Sequence, residues 1–309
     1  MPKFKHLVSL HALKPEQIHE ILTLAARFKI ELKQGKEHAL LKQKTLAMIF
    51  EKPSTRTRVS FEVGMVQLGG HVINLRPDDI QMDGREPVSD IARTLSRMVQ
   101  GIMLRTFAHE TIERFAEFAE VPVINGLSDY EHPCQALADM LTLIEHFGHL
   151  DDIVLTYVGD GNNVAHSLMF AAAKVGLKLR VCTPKGYEPS RKALKALGTL
   201  KNKRRGIDIE LLRDPRQAVA GAQVVYTDVW ASMGQEAESA QRERDFRAYQ
   251  VNAALLKHAD PKCLVMHCLP AHRGLEITAA VIDGPQSIVF DQAENRLHAQ
   301  KAVLALLMS

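Results

Sequence analysis

Three hydroxyls and two arginines stand in a row at Ser54-Thr55-Arg56-Thr57-Arg58, just after the apolar run Thr45–Phe50. A helix that starts here offers unpaired N–H groups and the positive end of its dipole, and both suit an anion. The hydroxyls of Ser54, Thr55 and Thr57 add donors, and Arg56 adds a fixed planar charge that fits phosphate oxygens. The glycines and the G-K-[ST] ending of a Walker loop are missing, so any phosphate site is of another kind. A plain N-cap with solvated arginines explains the same residues. Two further clusters tip the balance. Arg105 follows the apolar run Ile102–Leu104, and His132-Pro133-Cys134-Gln135 lies beyond the strand-like Val121–Asn125, at a helix start. Ligands of open α/β sheets bind beyond the carboxyl ends of strands, so the three clusters are expected to converge. Cys134 itself reads as a buried small hydrophobe.

A second set of groups carries different chemistry. Val158-Gly159-Asp160-Gly161-Asn162-Asn163 follows a strand, and G-x-G in that position opens a dinucleotide fingerprint. The fingerprint fails twice: Val164 replaces its third glycine, and Thr183-Pro184-Lys185 stands where an acidic ribose anchor belongs. Asn163 on these grounds is a turn asparagine. Asp228, after the run Val224–Thr227, can pair with an ammonium group, and Ser232 can accept a hydrogen bond from it; Trp230 reads as a packing residue. His267-Cys268-Leu269-Pro270 followed by His272 contains three possible metal ligands, yet no fourth is supplied locally and Pro270 suggests a fixed turn. No metal and no cofactor is expected.

Short apolar runs must alternate with amphipathic stretches to place these groups. Strands are predicted at Thr45–Phe50, Gly101–Phe107, Val121–Asn125, Ile153–Val158, Leu179–Thr183, Ile209–Leu212, Val224–Asp228 and Leu264–His267, with helical spacing between them. The alternation predicts an α/β fold with two domains, each a parallel sheet flanked by helices. The polar stretch Gly234–Arg247 reads as a loop and a mobile lid. A last helix, about Glu294–Met308, is expected to pack back on the first domain.

Bulk properties exclude other classes. The 309 residues suit two domains, and a net charge of +3 implies neither a nucleic-acid nor a membrane partner. Four scattered cysteines form no C-x-x-C pair, which argues against a zinc ribbon and a disulfide framework. No secretory signal is read in residues 1–13, and no apolar run approaches a membrane span. A cytoplasmic protein with reduced thiols is expected.

The S-T-R-T-R and H-P-C-Q segments together resemble the carbamoyl-phosphate half of the aspartate/ornithine carbamoyltransferase family, the second leaning towards members that use ornithine. The likeness runs from Glu51 to Lys301 and takes in G-D-G-N-N, Ser232-Met233-Gly234 and H-C-L-P, in order. One departure is Gln100, where the family often carries an acidic residue. The resemblance implies that Ser54, Thr55, Arg56 and Thr57 cradle the phosphate with Arg105 and Arg296, and that His132 and Gln135 hold the carbamoyl oxygen and amide. It assigns Gln81 to carbamoyl phosphate as well, on a loop apart from the other clusters. Cys268 and Leu269 come near the carbamoyl group through their backbone, and Cys268 stands beside the reacting amine. Asn163 would hold the ornithine α-carboxylate, with Asp228, Ser232 and Met233 on the amine side; the catalytic set is then Arg105, His132, Asp228 and Cys268. Residues 1–135 would form the carbamoyl-phosphate domain, completed by 292–309; 136–149 would be a linking helix and 150–291 the ornithine domain. A homotrimer with active sites near subunit interfaces is also implied; citrulline formation fits arginine biosynthesis, and the sequence does not separate that role from citrulline breakdown.

Overall fold

The strands are short and parallel, and those inside each sheet are buried because helices cover both faces. The computed structural model describes residues 4–309 apart from 83, 204, 205, 233 and 235. Two compact units emerge: one gathers the chain through Leu141 together with Glu294–Ser309, the other is Thr142–Ala293.

In the first unit α1 (Pro15–Lys33) precedes β1 (Thr45–Phe50), α2 (Thr55–Gln67), β2 (His71–Leu75), α3 (Val88–Ser96), β3 (Gly101–Arg105), α4 (His109–Phe118) and β4 (Val123–Leu127). Helix α5 (Pro133–Phe147) then leads into the second unit. The sheet order is β2-β1-β3-β4 and every pairing is parallel. The chain leaves β1 for β2 on one side and returns as β3 on the other. The switch point of this sheet therefore lies between the ends of β1 and β3, where a ligand crevice forms. Strand β2 escapes the sequence reading because it is an edge strand: three of its five residues are exposed and two half-buried, so it shows no long apolar run. The predicted strands Gly101–Phe107 and Val121–Asn125 are both offset by two residues at one or both ends.

The second unit contains β5 (Val154–Val158), α6 (Asn163–Val175), β6 (Lys178–Cys182), α7 (Arg191–Lys203), β7 (Ile209–Leu212), α8 (Pro215–Val219) and β8 (Val224–Thr227). It continues through α9 (Ser239–Phe246), α10 (Ala253–Leu256), β9 (Leu264–His267) and α11 (Ala279–Ile282). Its order is β7-β6-β5-β8-β9, again all parallel, so its switch point lies between β5 and β8. The stretch read as a polar loop, Gly234–Arg247, is instead largely helical. Glu236–Glu238 and Arg247–Tyr249 are single 3-10 turns on either side of α9. Only Arg242 and Phe246 of α9 are buried, one helical turn apart, and Phe246 stacks on Trp230 at 5.8 Å in the core. Two buried positions in eight are too few to read as an amphipathic stripe.

The terminal helix α12 (Val289–Met308) starts five residues earlier than the sequence suggested and packs back on the first unit. Several of its polar residues, Asn295, Arg296 and Lys301 among them, are buried there. Lys29 donates to Asn295 at 2.8 Å, and Lys301 donates to Gln67 at 3.1 Å beside His38. Buried amines of this kind are tolerated because each finds an acceptor.

Candidate active site

At the first switch point α2 begins as its sequence dictates. Ser54 is extended, with φ at −163°, and its hydroxyl accepts the Thr57 N–H at 3.2 Å, which leaves Thr55 and Arg56 in the first turn. The Thr57 side chain is buried and its Oγ1 receives two guanidinium groups: Arg296 Nη2 at 3.1 Å and Arg105 Nη1 at 3.4 Å. Arg296 also donates through Nη1 to Gln135 Oε1 at 2.8 Å and through Nε to Gln300 at 2.9 Å. Gln135 passes its amide N–H to Asp139 at 2.9 Å. Asp139 is a buried carboxylate that sequence reasoning missed; its signal is that it stands one helical turn beyond Gln135, between the apolar residues Ala136–Ala138 and Met140–Leu141.

His132 lies in the same cluster. Burial, and then the charges of Arg296, Arg105 and Arg56, push its imidazole well below its usual pKa, so the ring is neutral. Neutral imidazole can still donate one hydrogen bond to an oxyanion. Behind it Cys134 is fully buried, donates to Asn125 O at 3.4 Å, and burial pushes its thiol up to about 12. Lys52, also buried, pairs with Asp129 and lies 4.1 Å from the Phe107 ring centroid. Gln81 is not in the cluster. It is exposed, in left-handed conformation with φ at 52°, closing the turn Asp78–Ile80.

The second switch point holds the opposite charge. Gly159–Asn163 follows β5, Asp228 follows β8 and Cys268 follows β9, so three neighbouring strands deliver their groups at one end of the sheet. Asn162, passed over in the sequence reading in favour of Asn163, joins them. Its Oδ1 caps α6 by accepting the N–H groups of Val164 and Ala165 at 3.0 and 3.2 Å. Its Nδ2 donates to Asp228 Oδ2 at 2.7 Å. Asp228 Oδ1 accepts the Cys268 thiol at 2.9 Å and the Val229 N–H at 2.8 Å. Asn163 is the first residue of α6 and half-buried, and Ser232 is half-buried beyond Trp230. Met233 lies outside the described residues. Gly161 is required for a packing reason: a Cβ there would stand 2.3 Å from the Pro189 nitrogen.

Asp228, His267 and Cys268 bring three ligand-type atoms within 4.8 Å of one another. His267, however, has both ring nitrogens engaged. Nδ1 accepts the Leu269 N–H at 2.8 Å, which obliges Nε2 to carry the proton towards Glu276 Oε1 at 3.1 Å. The arrangement orients the H-C-L-P turn and leaves no imidazole lone pair for a metal. Glu276, fully buried, also accepts the His272 N–H at 2.5 Å.

Comparison with known proteins places both halves. Residues 5–145 match the family described as aspartate/ornithine carbamoyltransferase, carbamoyl-P binding domain, and residues 151–307 match its Asp/Orn binding domain. An ornithine carbamoyltransferase from Carboxydothermus hydrogenoformans is 56% identical over 98% of this chain and 97% of its own. An anabolic ornithine carbamoyltransferase from Pyrococcus furiosus is 56% identical over 98% of this chain and 96% of its own. A solved structure of the ornithine carbamoyltransferase from that organism superposes with a TM-score of 0.95 at 56% identity, covering 98% of this chain and 97% of the other.

Proposed function

The chain belongs to the aspartate/ornithine carbamoyltransferase family, and from that premise we propose that it transfers the carbamoyl group of carbamoyl phosphate to the side-chain amine of L-ornithine, giving L-citrulline and phosphate. The observation that carries the choice of acceptor is Asp228, a buried carboxylate at a strand end that Asn162 and Cys268 orient. A carboxylate there suits an ammonium side chain. An aspartate acceptor would bring a second carboxylate and call for basic residues in its place.

Carbamoyl phosphate is a mixed anhydride with a good leaving group, so the residues need only position it and stabilise charge. Ser54, Thr55, Arg56 and Thr57 at the start of α2 hold the phosphate, with Arg105 and Arg296 beside them. Arg105, neutral His132 and Thr57 polarise the carbonyl oxygen as the tetrahedral intermediate forms. Gln135, Leu269 and the Cys268 backbone take the carbamoyl amide. Asn163, at the N-terminus of α6, receives the ornithine α-carboxylate, while Asp228, Ser232, Met233 and Cys268 orient the amine. The side-chain ammonium first loses a proton to solvent; the neutral amine nitrogen then bonds to the carbonyl carbon, the C–O bond to phosphate breaks with its electron pair, and the departing phosphate takes the remaining proton. No covalent intermediate on Cys268 is needed.

A homotrimer completes the reading. Val59 and Val66 of α2 and Ile73 of β2 are large exposed apolar groups on the first unit, which supports a covered face there. Gln81, apart from its own cluster, then serves the site of a neighbouring subunit. The anabolic relative supports a role in arginine biosynthesis, and four buried cysteines outside any disulfide support a cytoplasmic setting. Among the described residues no helix is long and apolar enough to cross a membrane.

The test is carbamoyl transfer from carbamoyl phosphate, read as the carbamoylated acceptor and the phosphate released, with ornithine, putrescine, N-acetylornithine and aspartate offered separately. Turnover with ornithine alone is expected. Preference for another acceptor overturns the assignment of Asn163, Asp228 and Ser232, and no turnover with any of them overturns the activity.

A further inference from the structure

Helix α9 carries an arginine whose bonds reach both acceptor-side loops. Arg242 is 7% exposed, although its helix is otherwise polar and mostly solvated. Its Nη1 donates to Asp160 Oδ2 at 3.0 Å and to the Trp230 carbonyl at 2.9 Å, and its Nε donates to Glu238 at 2.9 Å. The guanidinium also lies 5.0 Å from the Tyr187 ring centroid. Asp160 belongs to the turn that presents Asn162 and Asn163. Trp230 precedes Ser232 by two residues. Tyr187 holds the same turn from its other side, since its carbonyl accepts the Gly161 N–H at 2.8 Å and its hydroxyl donates to Asp245 of α9 at 2.7 Å. The Asp160 side chain is nearly buried, and a carboxylate so placed is costly unless paired.

We propose that Arg242 is a positioning residue for the amino-acid acceptor. By tying the Asp160 turn to the Trp230 carbonyl it fixes the spacing between Asn163, on the α-carboxylate, and Ser232, on the amine side. It touches no reacting atom. Its action is to pre-set two loops that would otherwise be ordered only as the acceptor arrives, so its loss falls on acceptor binding. Lysine cannot replace it fully, because an ammonium group lacks the planar fork that serves a carboxylate and a carbonyl together. The inference rests on the reading that these loops hold ornithine.

The experiment compares the unmodified enzyme with Arg242→Met, Arg242→Lys, Asp160→Asn and the double variant Arg242→Met/Asp160→Asn. Each is characterised by KM for both substrates, kcat, and carbamoyl-phosphate binding by calorimetry. Arg242→Met is expected to raise KM for ornithine by about 30-fold or more, in line with the effect of misplacing a substrate by an ångström. KM and affinity for carbamoyl phosphate should stay within about twofold. Arg242→Lys should recover part of the loss, and the double variant should lose less than the two single effects multiplied. Equal losses for the two substrates, no change for either, or unaltered constants with only a lower melting temperature would overturn the proposal. Failure of the functional reading is separately visible, because the unmodified enzyme would then not turn over ornithine at all.

Discussion

The two sheets share a topology and use it for opposite electrostatics. In each, the chain runs out from one strand to one side and returns on the other, so a crevice opens between β1 and β3 in the first unit and between β5 and β8 in the second. Around the first crevice Arg56, Arg105 and Arg296 act on one neutral histidine, and two guanidiniums share the Thr57 hydroxyl. Around the second the central group is a carboxylate, Asp228, with an amide and a thiol as its donors. Topology therefore settles where a ligand binds, and the residues placed at the strand ends settle its charge. A phosphate dianion suits the first and an ammonium group the second.

Breaking either half should leave the other standing. The largest effect is expected from Arg105→Ala, which on the proposed assignment removes a donor to the developing oxyanion. kcat/KM for carbamoyl phosphate should fall by about a thousandfold in initial-rate assays. Asp228→Asn should lower kcat/KM for ornithine by about a hundredfold, with carbamoyl-phosphate affinity unchanged by calorimetry. Parallel losses in both substrates for either variant would mean that the two halves do not divide the labour.

The same contrast extends to pH. His132 has its pKa lowered by burial and by arginines, so between that value and 6.5 the unfolded chain binds the extra proton and stability rises with pH. Burial raises Asp160 from 3.8 to about 6 despite Arg242, so between those values the folded chain binds more protons and stability falls with pH. In calorimetric melts between pH 4 and 6, as defined by that interval, His132→Gln should therefore make stability fall more steeply with rising pH. Asp160→Asn should tilt the curve the other way. Each change is bounded at about 1.4 kcal/mol per pH unit. The smallest effect is expected from Cys134→Ala. Its thiol is buried and held at about 12, so the change should cost about 1–2 kcal/mol of stability and leave kcat within about twofold. Native Cys134 should also resist thiol reagents.

Much of this was legible beforehand. S-T-R-T-R, Arg105 and H-P-C-Q were expected to converge because parallel strands deliver their C-terminal residues to one edge, and Thr57, Arg105, His132 and Gln135 are in one cluster. Three features were not legible. Strand β2 has no fully buried residue, so it lacks the buried run that marks the central strands. Helix α9 is held by two buried residues in a polar segment, and composition alone made it a loop. Asn162 is identical in type to its neighbour Asn163, and only the cap geometry separates the residue that holds Asp228 from the one at the helix start.

Local rules act over a few residues, and they determined the strand–helix rhythm, the Ser54 cap and the segments where chemistry would sit. Those features follow from periodicity, capping and backbone sterics, which neighbours in sequence decide between themselves. Tertiary structure alone decided that Arg296 would reach Thr57 across 239 positions and Gln135 across 161. It also decided that Cys268 would donate to Asp228, 40 positions away, and that Arg242 would meet Asp160 across 82. Such pairings depend on sheet order and on how α9 and α12 pack. Closing loops of these lengths costs entropy that only the finished core offsets, so no local pattern announces them.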